Sequence, residues 1–329
     1  MSGGWGPPPP PPPPSSGEPA AARPGVIPLR GLRLGELLEA TVATLRRSAR
    51  IALSVGGVLA LLGGAAQLLS QAYLTSRGVV PAAALPDPGT QVTPEQARDL
   101  LLASGPILIA AAVSFIVGLV LQTLAAGVTA PITGAAVRGQ PLDWERTWQR
   151  MRPLLPRLLA LTVLITGVLG GVVLLPLLLS MRSLSTQPES AIAAMVLSML
   201  VTVPIAAFLW TRLMLAPVAL ILEGGSLADA VRRGWSVVRR RGWRAFGVAL
   251  MIVLLGQVLA TVVQFPFAIV GAATAADSPS TLAVFASTIG VMVGFTVMLP
   301  FIGVGMGMLY TDLRLRAEPG LAAQLNRPE

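Results

Sequence analysis

Six long stretches without a charged residue dominate this chain of 329 residues. Each stretch exceeds the roughly 20 residues that a helix needs to cross the hydrocarbon core of a bilayer. A charged side chain at the bilayer centre costs about 2.5 to 3.5 kcal/mol, so the restriction of charges to the intervening segments is informative. The stretches lie between Arg50 and Arg77, Asp99 and Arg138, Arg157 and Arg182, Glu189 and Arg212, Arg244 and Asp277, and Asp277 and Asp312.

This pattern predicts an all-α polytopic membrane protein with about six transmembrane helices. The composition agrees, because only 12% of the residues are charged, against roughly 25% in soluble domains. We expect one membrane domain over residues 25–316, with a disordered, proline-rich tail over 1–24 and a short tail over 317–329. The expected spans are about 51–75, 105–129, 158–181, 190–211, 246–272 and 282–310.

The arginines predict the orientation of the domain. Of the 24 basic residues, 21 fall on one side of the six spans and only Arg77, Arg98 and Arg182 on the other. Positive residues in short loops stay in the cytoplasm, which predicts that both termini are cytoplasmic. All the basic residues are arginine, a bias typical of GC-rich codon usage, and this favours a bacterial plasma membrane.

A repeated plan precedes the odd-numbered spans. Each of these spans follows a segment with helical apolar spacing and a basic end, which predicts three units, each an interfacial helix followed by a transmembrane hairpin. In the third unit, Ser226 and Asp229 fit a capping box, so we expect a helix over residues 226–244 that lies along the membrane surface. Its apolar stripe is Leu227, Val231, Trp235 and Val238.

The basic end of this third segment is our candidate contact surface. Tryptophan suits the membrane interface, and arginine near anionic headgroups contributes about 1 kcal/mol per residue. The surface would contact the bilayer through anionic phospholipid headgroups, or bind another membrane protein; ordinary positive-inside charge without lipid specificity is the alternative. The candidate residues are Trp235, Arg239, Arg240, Arg241, Trp243 and Arg244.

Glutamines inside the spans form a second candidate site. They would line an intramembrane polar cavity, or make interhelical hydrogen bonds worth about 0.6 kcal/mol each. No acidic residue lies in the middle of a span, which argues against a proton relay. The glutamines are Gln67, Gln71, Gln122, Gln257 and Gln264.

The residue types that are absent limit the chemistry. The chain contains no histidine, cysteine or lysine, which excludes most catalytic triads, the usual zinc sites and a phosphate-binding Walker loop. We find no catalytic constellation, and we expect no enzymatic activity, metal or cofactor. Nucleic acid is not an expected partner, because the arginines lie beside apolar spans and not on an isolated basic face.

Three segments carry a family resemblance: residues 23–53, residues 213–250 (LMLAPVALILEGGSLADAVRRGWSVVRRRGWRAFGVAL) and residues 309–320 (LYTDLRLRAEPG). They resemble the bacterial family known as the glycerophosphodiester phosphodiesterase membrane domain. The resemblance implies a multi-helix membrane protein of undefined activity, since the phosphodiesterase is normally a separate domain that this chain lacks. Gly234 stands where the family usually has serine, and Pro319 interrupts the closing motif.

Two functions fit these observations. The first is a non-catalytic membrane scaffold that contacts anionic lipid or a partner protein through residues 226–244. The alternative is a transporter or exporter of a small molecule or lipid, with its path between the hairpins, suggested by the prolines and glutamines inside the spans.

Overall fold

The protein is described by a computed structural model over residues 25–27, 30–78, 105–184, 188–274, 281–318 and 320, without the side chains of 180–192 and 195. The predicted tail over 1–24 and residues 321–329 of the predicted C-terminal tail lie outside the described residues. Within the described ranges the chain is almost entirely helical. Its helices are α1 (Leu34–Arg47), α2 (Ala49–Ser76), α3 (Gly105–Arg138), α4 (Trp144–Met151), α5 (Leu155–Leu184), α6 (Pro188–Leu213), α7 (Ala216–Glu223), α8 (Leu227–Arg239), α9 (Gly242–Thr274) and α10 (Thr281–Ala317).

Six segments of this structure are long and apolar enough to cross a membrane. A helix makes most of its backbone hydrogen bonds within itself, which is the condition for stability in lipid. The prediction of an all-α, multi-pass membrane protein with six spans is therefore confirmed. The segments are Ala49–Ser76, Gly105–Arg138, Trp144–Leu179, Val196–Glu223, Gly242–Thr274 and Thr281–Ala317.

The helices follow the predicted order of three units. The short helices α1, α4 and α8 precede the long pairs α2 with α3, α5 with α6, and α9 with α10. The second short helix ends early, because a 3-10 turn over Arg152–Leu154, with a proline in its first turn, follows Met151. The third pair is preceded by two short helices, since α7 continues from α6 after a break at Met214 and Leu215.

Helix α10 is the centre of the bundle. It packs against α9, α2, α3 and α1, and every residue from Met298 to Leu313 is buried. Glycine permits the close approach: a Cβ atom at Gly303 would collide with the Thr129 side chain of α3, and one at Gly305 with Ile252 of α9. The last helix is therefore held tightly from several sides.

The hairpin of α5 and α6 lies to one side of this centre. Its inward residues form a second apolar cluster with α7 and α8, built around Leu158, Leu161, Ile165 and Leu220. The opposite face of α5 is open, and Val163 is 72% exposed. Large apolar side chains exposed on a membrane-spanning helix are the surface that lipid covers.

The end of the bundle formed by α1, α4, α8 and the last turns of α3, α7 and α10 holds most of the described arginines, and we call it the arginine-rich end. The N-terminal residues of the described chain are inserted here. Ile27 and Leu32 are fully buried, and the backbone N–H of Val26 donates to the Ala136 carbonyl at 3.0 Å. The segment before α1 therefore belongs to the packed bundle.

Candidate interaction surface at the arginine-rich end

Helix α8 begins with the predicted capping box. The Ser226 hydroxyl accepts from the Asp229 N–H at 3.2 Å and donates to the Asp229 carboxylate at 2.6 Å, and the backbone N–H of Ser226 donates to the same carboxylate. The hydrogen bond from the Ser226 side chain is the main reason that the pKa of Asp229 is lowered. Gly224 and Gly225, with φ of 71° and 95°, make the reversal between α7 and α8, in a backbone region that favours glycine. The capping-box prediction is confirmed.

The end of α8 differs from the prediction of one helix over 226–244. The helix ends at Arg239. The next two residues, Arg240 and Arg241, form a turn, and Trp243 and Arg244 belong to the first turn of α9. The Arg241 N–H donates to the Val238 carbonyl at 3.0 Å, which closes the turn. The turn separates α8, which packs mainly against α7 and α6, from α9, which packs mainly against α10.

The face that α8 turns toward the protein includes Val238, which the prediction placed on the stripe at the membrane surface. Its buried residues are Ala230, Gly234 and Val238. A Cβ atom at Gly234 would lie 3.0 Å from the backbone nitrogen of Ala216, so the small residue lets α8 approach α7 closely. Val238 is therefore in the core, while the rest of the predicted stripe stands on a different side of α8. The other three residues of the stripe are Leu227 and Val231, which are half-buried, and Trp235, which is exposed.

Arg239, Arg240 and Arg241 are exposed. Within the described part of the chain, no carboxylate lies within ion-pair distance of any of the three. Trp243 is 89% exposed and contacts Phe246 edge-on, with the ring centroids 6.4 Å apart. Three cations without a carboxylate partner and one exposed indole ring are therefore presented together.

Arg244 has a different environment from its neighbours. Its Nη2 donates to the Leu32 carbonyl at 2.6 Å and lies 3.2 Å from Oδ2 of Asp312, which is fully buried. Asp312 Oδ1 also accepts from Arg316 Nε at 2.9 Å and from the Leu32 N–H at 2.6 Å. Arg244 is therefore held inside the protein by charge and hydrogen bonding, unlike the other candidate residues around it.

A second ion cluster ties α8 to the central helix. The Glu223 carboxylate, at the end of α7, accepts from the Tyr310 hydroxyl and pairs with Arg233 of α8. Arg314 of α10 lies 3.0 Å from the same carboxylate and 2.8 Å from that of Glu318. Glu223 thus joins three helices through one partly buried negative charge.

Trp235 is fixed by a cation between two rings. The Arg212 guanidinium, near the end of α6, lies 5.2 Å from the Trp235 ring centroid and 5.1 Å from that of Phe208. The two rings meet edge-on at 6.1 Å. Such cation–π contacts contribute about 0.5 to 2 kcal/mol each. They hold the indole ring of α8 against α6.

No protein-family model, curated protein or solved structure matches this chain. The family resemblance in residues 23–53, 213–250 and 309–320 therefore stays a prediction, and Pro319 lies outside the described residues. The structure does bring the three segments together. Leu32, Arg244 and Asp312 come from one segment each, and they form the buried cluster described above.

The candidate glutamines lie on several sides of the spans. Gln264 of α9 packs against Gly294 of α10, where a Cβ atom would collide with its amide. Gln257, two turns earlier, is exposed on the outside of the bundle, while Gln67, Gln71 and Gln122 are half-buried. Gln257 and Gln264 therefore do not face one common interior space.

The sequence analysis did not predict the two acidic clusters, since Asp312 entered it only as the end of an apolar stretch and Glu223 was given no role. The spacing of Asp312 with Arg316, and of Tyr310 with Arg314, is four residues, so the helical pairs were readable. The contacts that Glu223 and Asp312 make with other helices leave no pattern in the nearby sequence.

Proposed function

We propose that this chain is a non-catalytic membrane scaffold of the glycerophosphodiester phosphodiesterase membrane-domain type, in a bacterial plasma membrane. Its arginine-rich end faces the cytoplasm and contacts anionic phospholipid headgroups. The contact surface is the C-terminal turn of α8 and the turn that follows it, with Arg239, Arg240, Arg241 and Trp243.

One observation carries this proposal, namely the contrast between paired and unpaired arginines. Arg233, Arg314, Arg244 and Arg316 all bind carboxylates within the protein. Residues 239–241 point outward with no such partner among the described residues. Cations without an internal role, beside an exposed tryptophan at the end of a membrane span, suit a phosphate-rich interface.

The expected strength of this contact follows from the number of charges. Each arginine near an anionic membrane surface contributes about 1 kcal/mol, so three contribute about 3 kcal/mol. That energy corresponds to a preference on the order of 100-fold for anionic over neutral lipid.

The carboxylates of the same region support a non-catalytic role. Glu223 and Asp312 are the most enclosed acidic residues of the arginine-rich end, and each is held by two arginines. A carboxylate held in this way is not free to act as a general base.

The test is native mass spectrometry of the protein released from native-membrane nanodiscs, which requires no assumption about the lipid. We compare wild type with R239Q/R240Q/R241Q and with R46Q/R47Q/R50Q. The second triple variant removes the same charge from three other exposed arginines at the same end. We expect retained anionic lipid to be lost in the first variant only. Equal loss in both would mean ordinary positive-inside charge, and a retained protein lost from the first variant would assign the surface to a protein partner.

The transporter alternative requires a path between the hairpins. The buried run of α10 from Met298 to Leu313 fills the centre of the arginine-rich half and favours the scaffold. Solute flux into proteoliposomes tests this point, and flux that depends on the protein would replace the scaffold proposal.

A further inference from the structure

An open groove of about 680 Å³ lies between α8 and α5 at the arginine-rich end. Its apolar wall is formed by Leu164 of α5 together with Val231 and Trp235 of α8. Its edge carries Arg232 and Arg239. The groove therefore combines an apolar floor with a cationic rim.

The packing of α8 explains why the protein does not fill this groove. The small residues Ala230 and Gly234 form the face that meets the bundle, and they bring α8 against α7. The larger residues Val231 and Trp235 consequently line the neighbouring open side. Trp235 cannot turn away to close the groove, because Arg212 and Phe208 hold its ring.

The groove reaches into the membrane-spanning part of the protein. Leu164 lies nine residues after the start of α5 at Leu155, which is about 14 Å along the helix axis. It is 49% exposed, and its neighbour Val163 is exposed on the outer face of the same helix. The inner part of the groove is therefore open sideways to the lipid chains, while its rim lies at the level of α8.

The rim offers two positive charges to an anionic headgroup. Arg232 and Arg239 are seven residues apart, two turns on one side of α8, at about 10 Å along its axis. Both are exposed, and neither lies within ion-pair distance of a carboxylate among the described residues. Arginine binds phosphate oxygens with paired hydrogen bonds, so two such side chains at the mouth favour an anionic headgroup.

We propose that this groove is the binding site of one anionic phospholipid. An acyl chain lies along Leu164, Val231 and Trp235, and the phosphate lies between Arg232 and Arg239. This inference rests on the proposed function and deepens it, from a charged surface that attracts anionic lipid to a site that holds one molecule in a fixed position.

The test uses the protein in nanodiscs of phosphatidylcholine with phosphatidylglycerol, followed by native mass spectrometry of the lipid that remains bound. L164W fills the groove without changing a charge, and V163W places the same ring on the adjacent lipid-facing position as a matched control. We expect one phosphatidylglycerol adduct in wild type and V163W, and its loss in L164W. Thermal unfolding of both variants establishes that the tryptophan leaves the fold intact.

The second comparison uses two double variants, each of which removes two positive charges. R232Q/R239Q should weaken the adduct about 30-fold, since each arginine contributes about a fivefold effect near an anionic surface. R46Q/R47Q removes the same charge from α1, outside both the groove and the contact surface of residues 239–241, and should leave the adduct in place. An adduct of phosphatidylcholine that is equally strong would overturn the headgroup assignment.

Fluorescence locates the acyl chain in the wild-type groove. Phosphatidylglycerol with brominated acyl chains should quench Trp235, measured as the difference between the wild-type and W235F emission. An absence of quenching in that difference overturns the placement of the chain, whatever the mass spectra show.

The outcomes separate this inference from the function on which it rests. An adduct that survives L164W but disappears in R239Q/R240Q/R241Q overturns the groove and leaves the charged surface. An adduct unaffected by either overturns both. The chain has no cysteine, so the introduced thiol of L164C can form a disulfide only with a second copy of the variant. A disulfide-linked dimer formed in nanodiscs would show that protein, not lipid, occupies the groove.

Discussion

Replacing Asp312 with asparagine removes the only negative charge within ion-pair distance of Arg244 and Arg316 among the described residues. The variant keeps a carbonyl oxygen that can accept from the Leu32 N–H, so the change is mainly one of charge. Removing one partner of a buried ion pair costs about 3 to 5 kcal/mol. The Arg244 and Arg316 side chains are 34% and 21% exposed and regain some water, so we expect a loss of about 2 to 4 kcal/mol in the free energy of unfolding.

The assay is reversible unfolding in detergent micelles, followed by circular dichroism, with E39Q as the control. Glu39 is an exposed carboxylate on α1, and its neutralisation should change the unfolding free energy by less than about 0.5 kcal/mol. R244Q alone should cost less than D312N, because Asp312 keeps its bond from Arg316.

A double-mutant cycle refines the prediction. D312N combined with R244Q should cost less than the sum of the two separate changes, since the arginine that lacks its counterion is then absent. A D312N effect equal to that of E39Q, or strictly additive effects in the cycle, would refute the reasoning that the cluster is held by charge. Hydrogen exchange of the Leu32 amide gives a local readout, and we expect it to become faster in D312N.

Three further predictions follow from the packing and the caps. G303A should destabilise the bundle by about 1 to 3 kcal/mol through collision with Thr129, whereas G171A, at an open position, should have little effect in the same unfolding assay. E223Q should release Arg233 and Arg314, and hydrogen exchange of α8 should then rise without a change in α2, which does not contact Glu223. The pKa of Asp229 is lower in the folded protein than in the unfolded chain. Its carboxylate therefore stabilises the fold above the unfolded-state pKa, and this contribution is lost as pH falls through the folded-state pKa. Amide exchange at the start of α8 should increase over that acidic range in wild type and should show no such step in D229N.

The six spans could be predicted because lipid imposes a simple rule. A backbone in hydrocarbon must satisfy its own hydrogen bonds, so uncharged stretches of sufficient length become helices. The capping box at Ser226 was also readable, because its two partners are three residues apart. Both signals are local, and both were confirmed.

The different environments of Arg241 and Arg244 could not be predicted in this way. Both belong to one basic stretch, and nothing within it shows that Arg241 is exposed while Arg244 is bound by Asp312, 68 residues away. Val238 was misplaced for a related reason. The helical spacing put it on one stripe with Leu227, Val231 and Trp235, whereas it lies with Ala230 and Gly234 on the buried face of α8.

The bond between Leu32 and Asp312 has a consequence for how the protein is made. The two residues are 280 positions apart, and the acceptor lies near the end of the last helix. A ribosome delivers the first hairpin to the membrane long before Asp312 exists, so the segment before α1 has to wait for its binding partner until the sixth span has been synthesised. This bond therefore closes only after the other five spans have been made, and a product that lacks α10 would carry a loose segment before α1 that membrane proteases recognise.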